Sequence, residues 1–383
     1  MRFRTRAIHI GQARDPQTGA VIPPLHLAST FVQPATGEWG QFDYARSGNP
    51  TRTALETTLA SLEGGCGALA FASGMAAVHA ATMLLKSGET IVAGSDIYGG
   101  TYRLLHHICS RAGIGVVLAD ASDPAALEEA VTEKTRLLWV ESPGNPLMSI
   151  TDLVQCAKIA RKHKILLGVD NTFATPVLTR PLELGADLVM HSATKYLGGH
   201  SDLLGGVLTV KDPALRDELY FIQNATGAVM GPLECFLCSR GLKTLELRVR
   251  EQCRAAMALA EFLDADPRVH RVLYPGLPRH PGHKVAAAQM QGGFGAMLSF
   301  EVQGSMDNAR RLADSTRLFQ LAVSLGAVES LIEQPASMSH ASYDAKDRAA
   351  HGITDTLIRL SVGLEAFEDL RDDLDQALSA ATD

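Results

Sequence analysis

The chain has 383 residues, 46% of them hydrophobic, and a formal net charge of −7 at pH 7. This composition suffices for two or three domains with a large core, and the lack of a basic surplus argues against a nucleic-acid partner. No apolar run is long enough to span a membrane, and the basic N-terminus is not followed by the apolar stretch of a secretory signal. Six irregularly spaced cysteines indicate a reducing, cytoplasmic location, and the spacing of cysteines and histidines predicts no metal site.

The residue pattern divides the chain into three parts. Residues 1–48 contain several prolines and little periodicity, and we interpret them as an N-terminal arm. From 49 to 245, strand-like and helix-like segments alternate, which predicts a mainly parallel sheet covered by helices on both faces. Residues 246–383 open with a long helix and continue with short strands, which predicts a smaller α+β domain. The expected fold class is therefore α/β.

The predicted elements of the large domain follow in chain order. They are a strand at 69–72, a helix at 74–85 that Ser73 caps, strands at 90–93 and 137–140, a helix at 152–163, and strands at 165–169, 186–190 and 206–210. The C-terminal domain is predicted to hold a helix at 248–263, strands at 296–300 and 357–361, and a last helix at 367–380.

Lys195 follows the predicted strand 186–190 by five positions and precedes a glycine-rich turn. Most lysines are solvated at the surface, but an unpaired ammonium between two buried strands is costly. A lysine in this place can hold an aldehyde as a Schiff base, while the hydroxyl groups of Ser192 and Thr194 bind a nearby phosphate. This combination predicts pyridoxal 5′-phosphate (PLP) and amino-acid chemistry.

Polar residues also follow other predicted strands. Glu141 and Asp170 come after strands 137–140 and 165–169, so with Lys195 they should meet at one edge of the sheet. An aspartate after a strand is commonly a loop anchor. Next to PLP, Asp170 would pair with the pyridine nitrogen and keep it protonated.

Three further places suggest parts of the same site. Ser73, Gly74 and Met75 begin a helix, whose free N–H groups form an anion site suited to the cofactor phosphate. Tyr98 follows a strand and could stack on a planar cofactor and exchange protons. Arg359 lies within an apolar strand and requires an anion, either a substrate carboxylate or an internal salt bridge. A PLP-free binding protein on the same scaffold is the alternative from a different class.

Taken in order, these motifs resemble the Cys/Met-metabolism family of PLP-dependent enzymes. The likeness covers nearly the whole chain, through residues 5–9, 44–51, 73–75, 141–146, 169–172, 190–200 and 359–365. The resemblance implies PLP fold type I, which is the aspartate-aminotransferase-like fold. It also implies a homotetramer built from two active dimers and a small-molecule amino-acid substrate.

The resemblance also implies roles for individual residues. Lys195 would be the Schiff-base lysine, and both Lys195 and Tyr98 would be catalytic. The residues implied to hold the cofactor are Tyr44, Arg46, Ser73, Gly74, Met75, Tyr98, Asn145, Asp170, Ser192, Thr194 and Lys195. Of these, Tyr44 and Arg46 would reach the phosphate from the neighbouring subunit. The residues implied to bind substrate are Arg46, Tyr98, Arg103, Asn145, Ser324 and Arg359.

The choice of substrate depends on three positions that disagree. Gly100 and Arg103 resemble family members that act on cystathionine, whereas members that cleave methionine typically have cysteine in place of Gly100. Val323 resembles the methionine-cleaving members, because those acting on cystathionine commonly have glutamate there. We expect γ-elimination of L-cystathionine to L-cysteine, 2-oxobutanoate and ammonia. The alternatives are γ-elimination of methionine and γ-replacement on an O-acylhomoserine.

Overall fold

The computed structural model describes residues 1–339, 341, 348 and 352–382. The C-terminal domain predicted for 246–383 therefore extends over some residues outside that description. Two β-sheets, each flanked by helices, organise the described residues.

The first sheet has seven strands. They are β1 (Gly67–Phe71), β2 (Thr90–Gly94), β3 (Gly115–Ala119), β4 (Thr135–Glu141), β5 (Leu166–Asp170), β6 (Leu188–Ser192) and β7 (Gly206–Val210), in the order β1-β7-β6-β5-β4-β2-β3. Strands β2 to β6 run parallel, whereas β7 is antiparallel to both β1 and β6. The sheet is thus mainly parallel, as the alternation of segments predicts.

The second sheet has five strands. They are β8 (Val269–Leu273), β9 (Met297–Val302), β10 (Gln320–Leu321), β11 (Leu331–Glu333) and β12 (Leu357–Ser361), in the order β10-β11-β12-β9-β8. Only β10 and β11 pair in parallel; the other neighbours are antiparallel.

Fourteen helices lie in the described part of the chain. They are α1 (Phe3–His9), α2 (Pro50–Glu63), α3 (Gly74–Thr82), α4 (Gly99–Arg103), α5 (Pro124–Glu129), α6 (Leu153–His163), α7 (Thr175–Leu178), α8 (Pro181–Leu184), α9 (Pro213–Thr226), α10 (Pro232–Leu242), α11 (Leu245–Asp264), α12 (His283–Gln289), α13 (Met306–Ser315) and α14 (Phe367–Thr382). A π-helical segment at Leu104–Ile108 and a 3₁₀ turn at Cys109–Ala112 continue α4. None of the described helices has the length and apolar character needed to cross a membrane.

Alternate residues of the first sheet pack into two separate cores. In β4, Leu137 and Trp139 face the core formed with α3 and α9, while Leu138 and Val140 face the core formed with α5 and α6. Helices therefore cover both faces, and the strands are apolar on both sides. With both faces covered, the carboxyl edge of the parallel strands remains for a site.

Two predicted boundaries are wrong for reasons that the structure shows, and the arm is not wholly irregular. The sixth strand is Leu188–Ser192 rather than 186–190, because β7 continues the ladder to Ser192 while Asp187 accepts a hydrogen bond from the Leu167 N–H, 2.8 Å away. Helix α3 ends at Thr82, after which Leu85 closes a shorter turn onto the Thr82 carbonyl. The arm contains the short helix α1, whose Ala7 is buried in the core.

Candidate active site

A cavity of about 500 Å³ lies where the carboxyl edge of the first sheet meets the second sheet. It brings together residues that are far apart in sequence. The predicted site residues that line it are Ser73, Gly74, Met75, Tyr98, Arg103, Asn145, Asp170, Ser192, Thr194, Lys195, Ser324 and Arg359. Tyr44 and Arg46 do not line it.

Lys195 lies just beyond the end of β6, with its Nζ atom 2.8 Å from the Ser324 hydroxyl oxygen. Burial first, and then the Arg359 guanidinium, lower the pKa of Lys195 to about 8, although Glu333 opposes the shift. At neutral pH a useful fraction of this amine is therefore uncharged and nucleophilic.

The start of α3 forms one end of the cavity. The Ser73 hydroxyl accepts a hydrogen bond from the Ala76 N–H at 3.1 Å, which confirms the predicted N-cap. The N–H groups of Gly74 and Met75 precede the first intrahelical hydrogen bond, so they are available to an anion. A Cβ atom on Gly74 would lie 3.2 Å from the Ser192 Cβ, tighter than almost all real contacts. Glycine thus lets the helix begin directly beside Ser192.

Glu141 and Asp170 are partners in register at the ends of β4 and β5, and both are buried. Burial raises the pKa of Asp170, but hydrogen bonds from Thr172, including one from its N–H at 3.0 Å, stabilise the carboxylate. Burial first, and then the Asp170 charge, raise the pKa of Glu141 well above its usual range. Asp170 is therefore the anion of this pair and can pair with a cationic ring nitrogen.

Arg359, in β12, makes an internal ion pair and keeps one N–H donor without a partner among the described residues. Its Nη1 atom lies 3.0 Å from Glu333 Oε1 and donates to Asn145 Oδ1 at 2.9 Å, while Nη2 donates to the Ser324 carbonyl at 2.9 Å. Its Nε is buried without a partner among the described residues. This unpaired Nε donor suits a ligand carboxylate. Ser324 itself has a φ of +146°, a conformation rare outside glycine that is found at functional sites.

Tyr98 lies in the loop between β2 and α4, on the side of the cavity formed by α3. Its backbone N–H donates to Glu141 Oε2 at 2.9 Å. A Cβ atom on Gly100 would lie 2.4 Å from the Tyr98 Cε1 atom and 2.9 Å from the Met75 Sδ atom. The Tyr98 ring therefore occupies space that exists because residue 100 is glycine.

Tyr44 and Arg46 lie on the arm, outside the cavity of their own chain. Arg46 donates to the Asn224 carbonyl at 2.6 Å, and Tyr44 is about half exposed. The buried Arg52 fixes this segment by donating to the carbonyl oxygens of Ala45 at 2.6 Å and Arg46 at 3.1 Å.

Two carboxylates of the cavity were not among the predicted site residues, namely Glu141 and Glu333. Glu141 was noted only as part of the strand edge. A sequence signal for Glu333 did exist, because a glutamate within the apolar strand β11 could be the counter-ion of the arginine within the apolar strand β12. In the structure the two residues are partners in register. Sequence alone does not reveal that these strands are neighbours.

The residues present fit PLP. An amine with a lowered pKa, a helix start with free N–H groups and a buried anion line one cavity, as an aldehyde, a phosphate and a ring nitrogen require. In the described part of the chain, no group of three histidine, cysteine or acidic residues could hold a metal ion.

Comparison with known proteins agrees with this fit. The family described as Cys/Met metabolism PLP-dependent enzymes matches residues 4–379. A cystathionine β-lyase of Coxiella burnetii is 50% identical over 98% of this chain and 97% of its own length. A cystathionine γ-lyase of Bos taurus is 48% identical over 99% of this chain and 94% of its own length. The structure of cystathionine γ-synthase from Xanthomonas oryzae pv. oryzae, with aminoacrylate and cysteine, covers 100% of this chain and 99% of its own, at 45% identity and a TM-score of 0.97.

Proposed function

The chain belongs to the Cys/Met metabolism PLP-dependent enzymes, and on this premise we propose that it is a cystathionine γ-lyase, which cleaves L-cystathionine to L-cysteine, 2-oxobutanoate and ammonia. PLP is its cofactor, and the α/β fold is PLP fold type I, as predicted. The relatives named above include a β-lyase, a γ-lyase and a γ-synthase, so the family leaves the exact reaction to be decided by experiment.

One observation supports the choice of cystathionine over methionine. Family members that cleave methionine typically have cysteine in place of Gly100, and here a Cβ at that position would lie 2.4 Å from the Tyr98 ring. With Tyr98 where it is, the cavity accepts only glycine. Arg103 also lines the cavity and can attract the distal carboxylate of cystathionine.

Val323 favours the second candidate, γ-elimination of methionine. It lines the cavity and is 60% exposed, where members that act on cystathionine commonly have glutamate. An apolar side chain gives no counter-charge to the distal amino group of cystathionine but suits the methyl end of methionine. Such a difference in a pocket is worth only about 1–3 kcal/mol, so the preference can lie on either side.

We propose the following roles around the cofactor. Lys195 would carry it, and the start of α3 with Ser192 and Thr194 would hold its phosphate. Asp170 would pair with its ring nitrogen, Tyr98 would stack on the ring and Asn145 would contact its 3-hydroxyl group. When bound, PLP supplies an electron sink for the charge that develops on the substrate's carbon.

The protein's own groups then hold the substrate and move its protons. The Nε edge of Arg359 binds the α-carboxylate, and the strained Ser324 carbonyl keeps the guanidinium in place. Lys195 would take the substrate's α-proton as a base whose pKa of about 8 is close to neutral. Tyr98 is the acid that protonates the departing sulfur.

We further propose that two chains complete each site. Tyr44 and Arg46 lie outside their own cavity, and Arg46 would exchange its hydrogen bond to the Asn224 carbonyl for the phosphate bound by a neighbouring chain. Each active pair would then form half of a homotetramer.

The test offers the purified holoenzyme L-cystathionine, L-methionine, and O-succinyl-L-homoserine with cysteine, each separately. Release of 2-oxobutanoate and cysteine from cystathionine at the highest kcat/KM supports the proposal. Faster methanethiol release from methionine would replace it with the second candidate. Formation of cystathionine without its cleavage would make the protein a γ-synthase.

A control tests the role of Lys195 in holding PLP independently of which substrate the enzyme cleaves. Lys195→Ala should abolish turnover and the borohydride-reducible adduct with PLP. A yellow, reducible adduct that persists in this variant would contradict the assignment of Lys195 whatever the substrate.

A further inference from the structure

Glu141 is a buried cavity residue for which the proposed chemistry has no role. It ends β4, and its side chain reaches across to the loop that leaves the adjacent strand β2. There its Oε2 accepts the N–H of Tyr98 at 2.9 Å. The contact joins residues 43 positions apart, so it ties a loop to the rigid edge of the sheet.

The loop needs such a tie. Tyr98 is the N-cap residue of α4, and its own side chain makes no capping hydrogen bond. The phenol ring instead lines the cavity, with its Cε1 atom directly beside Gly100. The backbone N–H of Tyr98 precedes the helix and has no acceptor within it, so it requires a partner from elsewhere.

We propose that Glu141 is a positioning residue: its carboxyl group holds the backbone of Tyr98 against the end of β4 and thereby fixes the Tyr98 ring over the cavity. The inference rests on the proposed role of Tyr98 and not on the choice of substrate.

The hydrogen bond needs an acceptor oxygen and not a negative charge. Burial and the neighbouring Asp170 carboxylate raise the pKa of Glu141 well above its usual range, which favours its neutral form, and either form offers the Tyr98 N–H an acceptor oxygen. A glutamine amide has the same shape as a neutral carboxylic acid and offers the same acceptor oxygen. Glu141→Gln should therefore keep the tie, and Glu141→Leu, of similar size but without an acceptor, should remove it.

The experiment compares these two holoenzymes with the parent protein by the visible circular dichroism of bound PLP and by PLP affinity in equilibrium dialysis. Glu141→Gln should retain the circular dichroism band and a PLP affinity within about twofold of the parent. Glu141→Leu should reduce the band and weaken PLP binding about fivefold to tenfold, as expected for one lost hydrogen bond.

Two outcomes would overturn the inference. One is a Glu141→Leu protein whose band and affinity equal those of the parent. The other is a Glu141→Gln protein as damaged as Glu141→Leu, which would show that charge matters and the acceptor does not. If Glu141→Leu does not fold, Glu141→Asp replaces it, because its shorter side chain stops before the Tyr98 N–H.

The variant Tyr98→Ala shows which of two proposals has failed, the role of Tyr98 in the proposed function or the positioning role of Glu141. If Tyr98→Ala leaves the circular dichroism band and turnover intact, the proposed role of Tyr98 is wrong. If Tyr98→Ala loses both while Glu141→Leu resembles the parent, only the positioning role of Glu141 is wrong.

Discussion

Replacing Gly100 with alanine should damage catalysis without damaging the fold. The added Cβ would lie 2.4 Å from the Tyr98 Cε1 atom, whereas ordinary contacts begin at 3.4 Å. The ring must therefore move by about 1 Å. It can do so because the Tyr98 side chain is 45% exposed and is not locked in the core.

The expected magnitude follows from this displacement. A 1 Å misplacement of a group at the reacting centre costs on the order of 10²-fold in rate, so kcat/KM for L-cystathionine should fall by about that factor. Residue 100 lies in the first turn of α4, where alanine is favoured over glycine by about 0.5–1 kcal/mol. The free energy of unfolding should therefore stay level or rise while activity falls.

The assay combines steady-state kinetics, visible circular dichroism of bound PLP and thermal unfolding. Gly40→Ala is the matched control, since a Cβ there would meet nothing closer than 3.6 Å. A Gly100→Ala protein with the kcat/KM and circular dichroism of the parent would refute the reasoning. A loss of thermal stability equal to the loss of activity would also contradict it, because the strain would then lie in the fold.

Three further measurements test the electrostatics. The rate at which cofactor-free protein binds PLP, measured by stopped-flow absorbance, should rise about tenfold per pH unit up to about pH 8 and then level off. The reason is that burial lowers the pKa of Lys195 to about 8, so the amine is mostly uncharged above that pH. A rate that continues to rise to about pH 10 would contradict this. His191→Ala should lower the free energy of unfolding by about 1–3 kcal/mol in urea titrations, because the buried Glu63 carboxyl loses its contact with His191 at 2.5 Å and keeps only the hydrogen bond from the Asn171 amide at 3.2 Å. A loss below about 0.5 kcal/mol would count against this. Burial raises the pKa of Glu56 from 4.5 to about 7, so the folded state favours the neutral carboxyl group and loses stability as the pH rises through that window. The melting temperature of the parent should therefore fall relative to that of Glu56→Gln between about pH 5 and pH 8. A difference in melting temperature that stays constant over this range would refute the shift.

The sequence predicts what depends on local pattern. Lys195, Asp170 and Glu141 could be assigned to one edge because each follows a short apolar run, and such runs form buried parallel strands. Ser73 could be assigned as an N-cap because serine before a helical segment has that role by its own chemistry.

The sequence does not predict what depends on long-range pairing. The antiparallel position of β7 between β1 and β6 sets the true end of β6, and no local signal contains it. The ion pair of Arg359 with Glu333 likewise depends on the register of β11 with β12. The strain at Ser324 depends on contacts from both sheets, with the Lys195 amine on one side and Arg359 on the other.

Tyr44 and Arg46 lie outside their own cavity while Arg52 holds their segment in place. In the proposed dimer, each active site is therefore built from residues of two protein chains. A chain damaged at Lys195 and a chain damaged at Arg46 would each be inactive alone. Mixed in one dimer, they would create one intact site beside one doubly damaged site. Co-expression of the two inactive variants should thus restore enzyme activity that neither shows by itself.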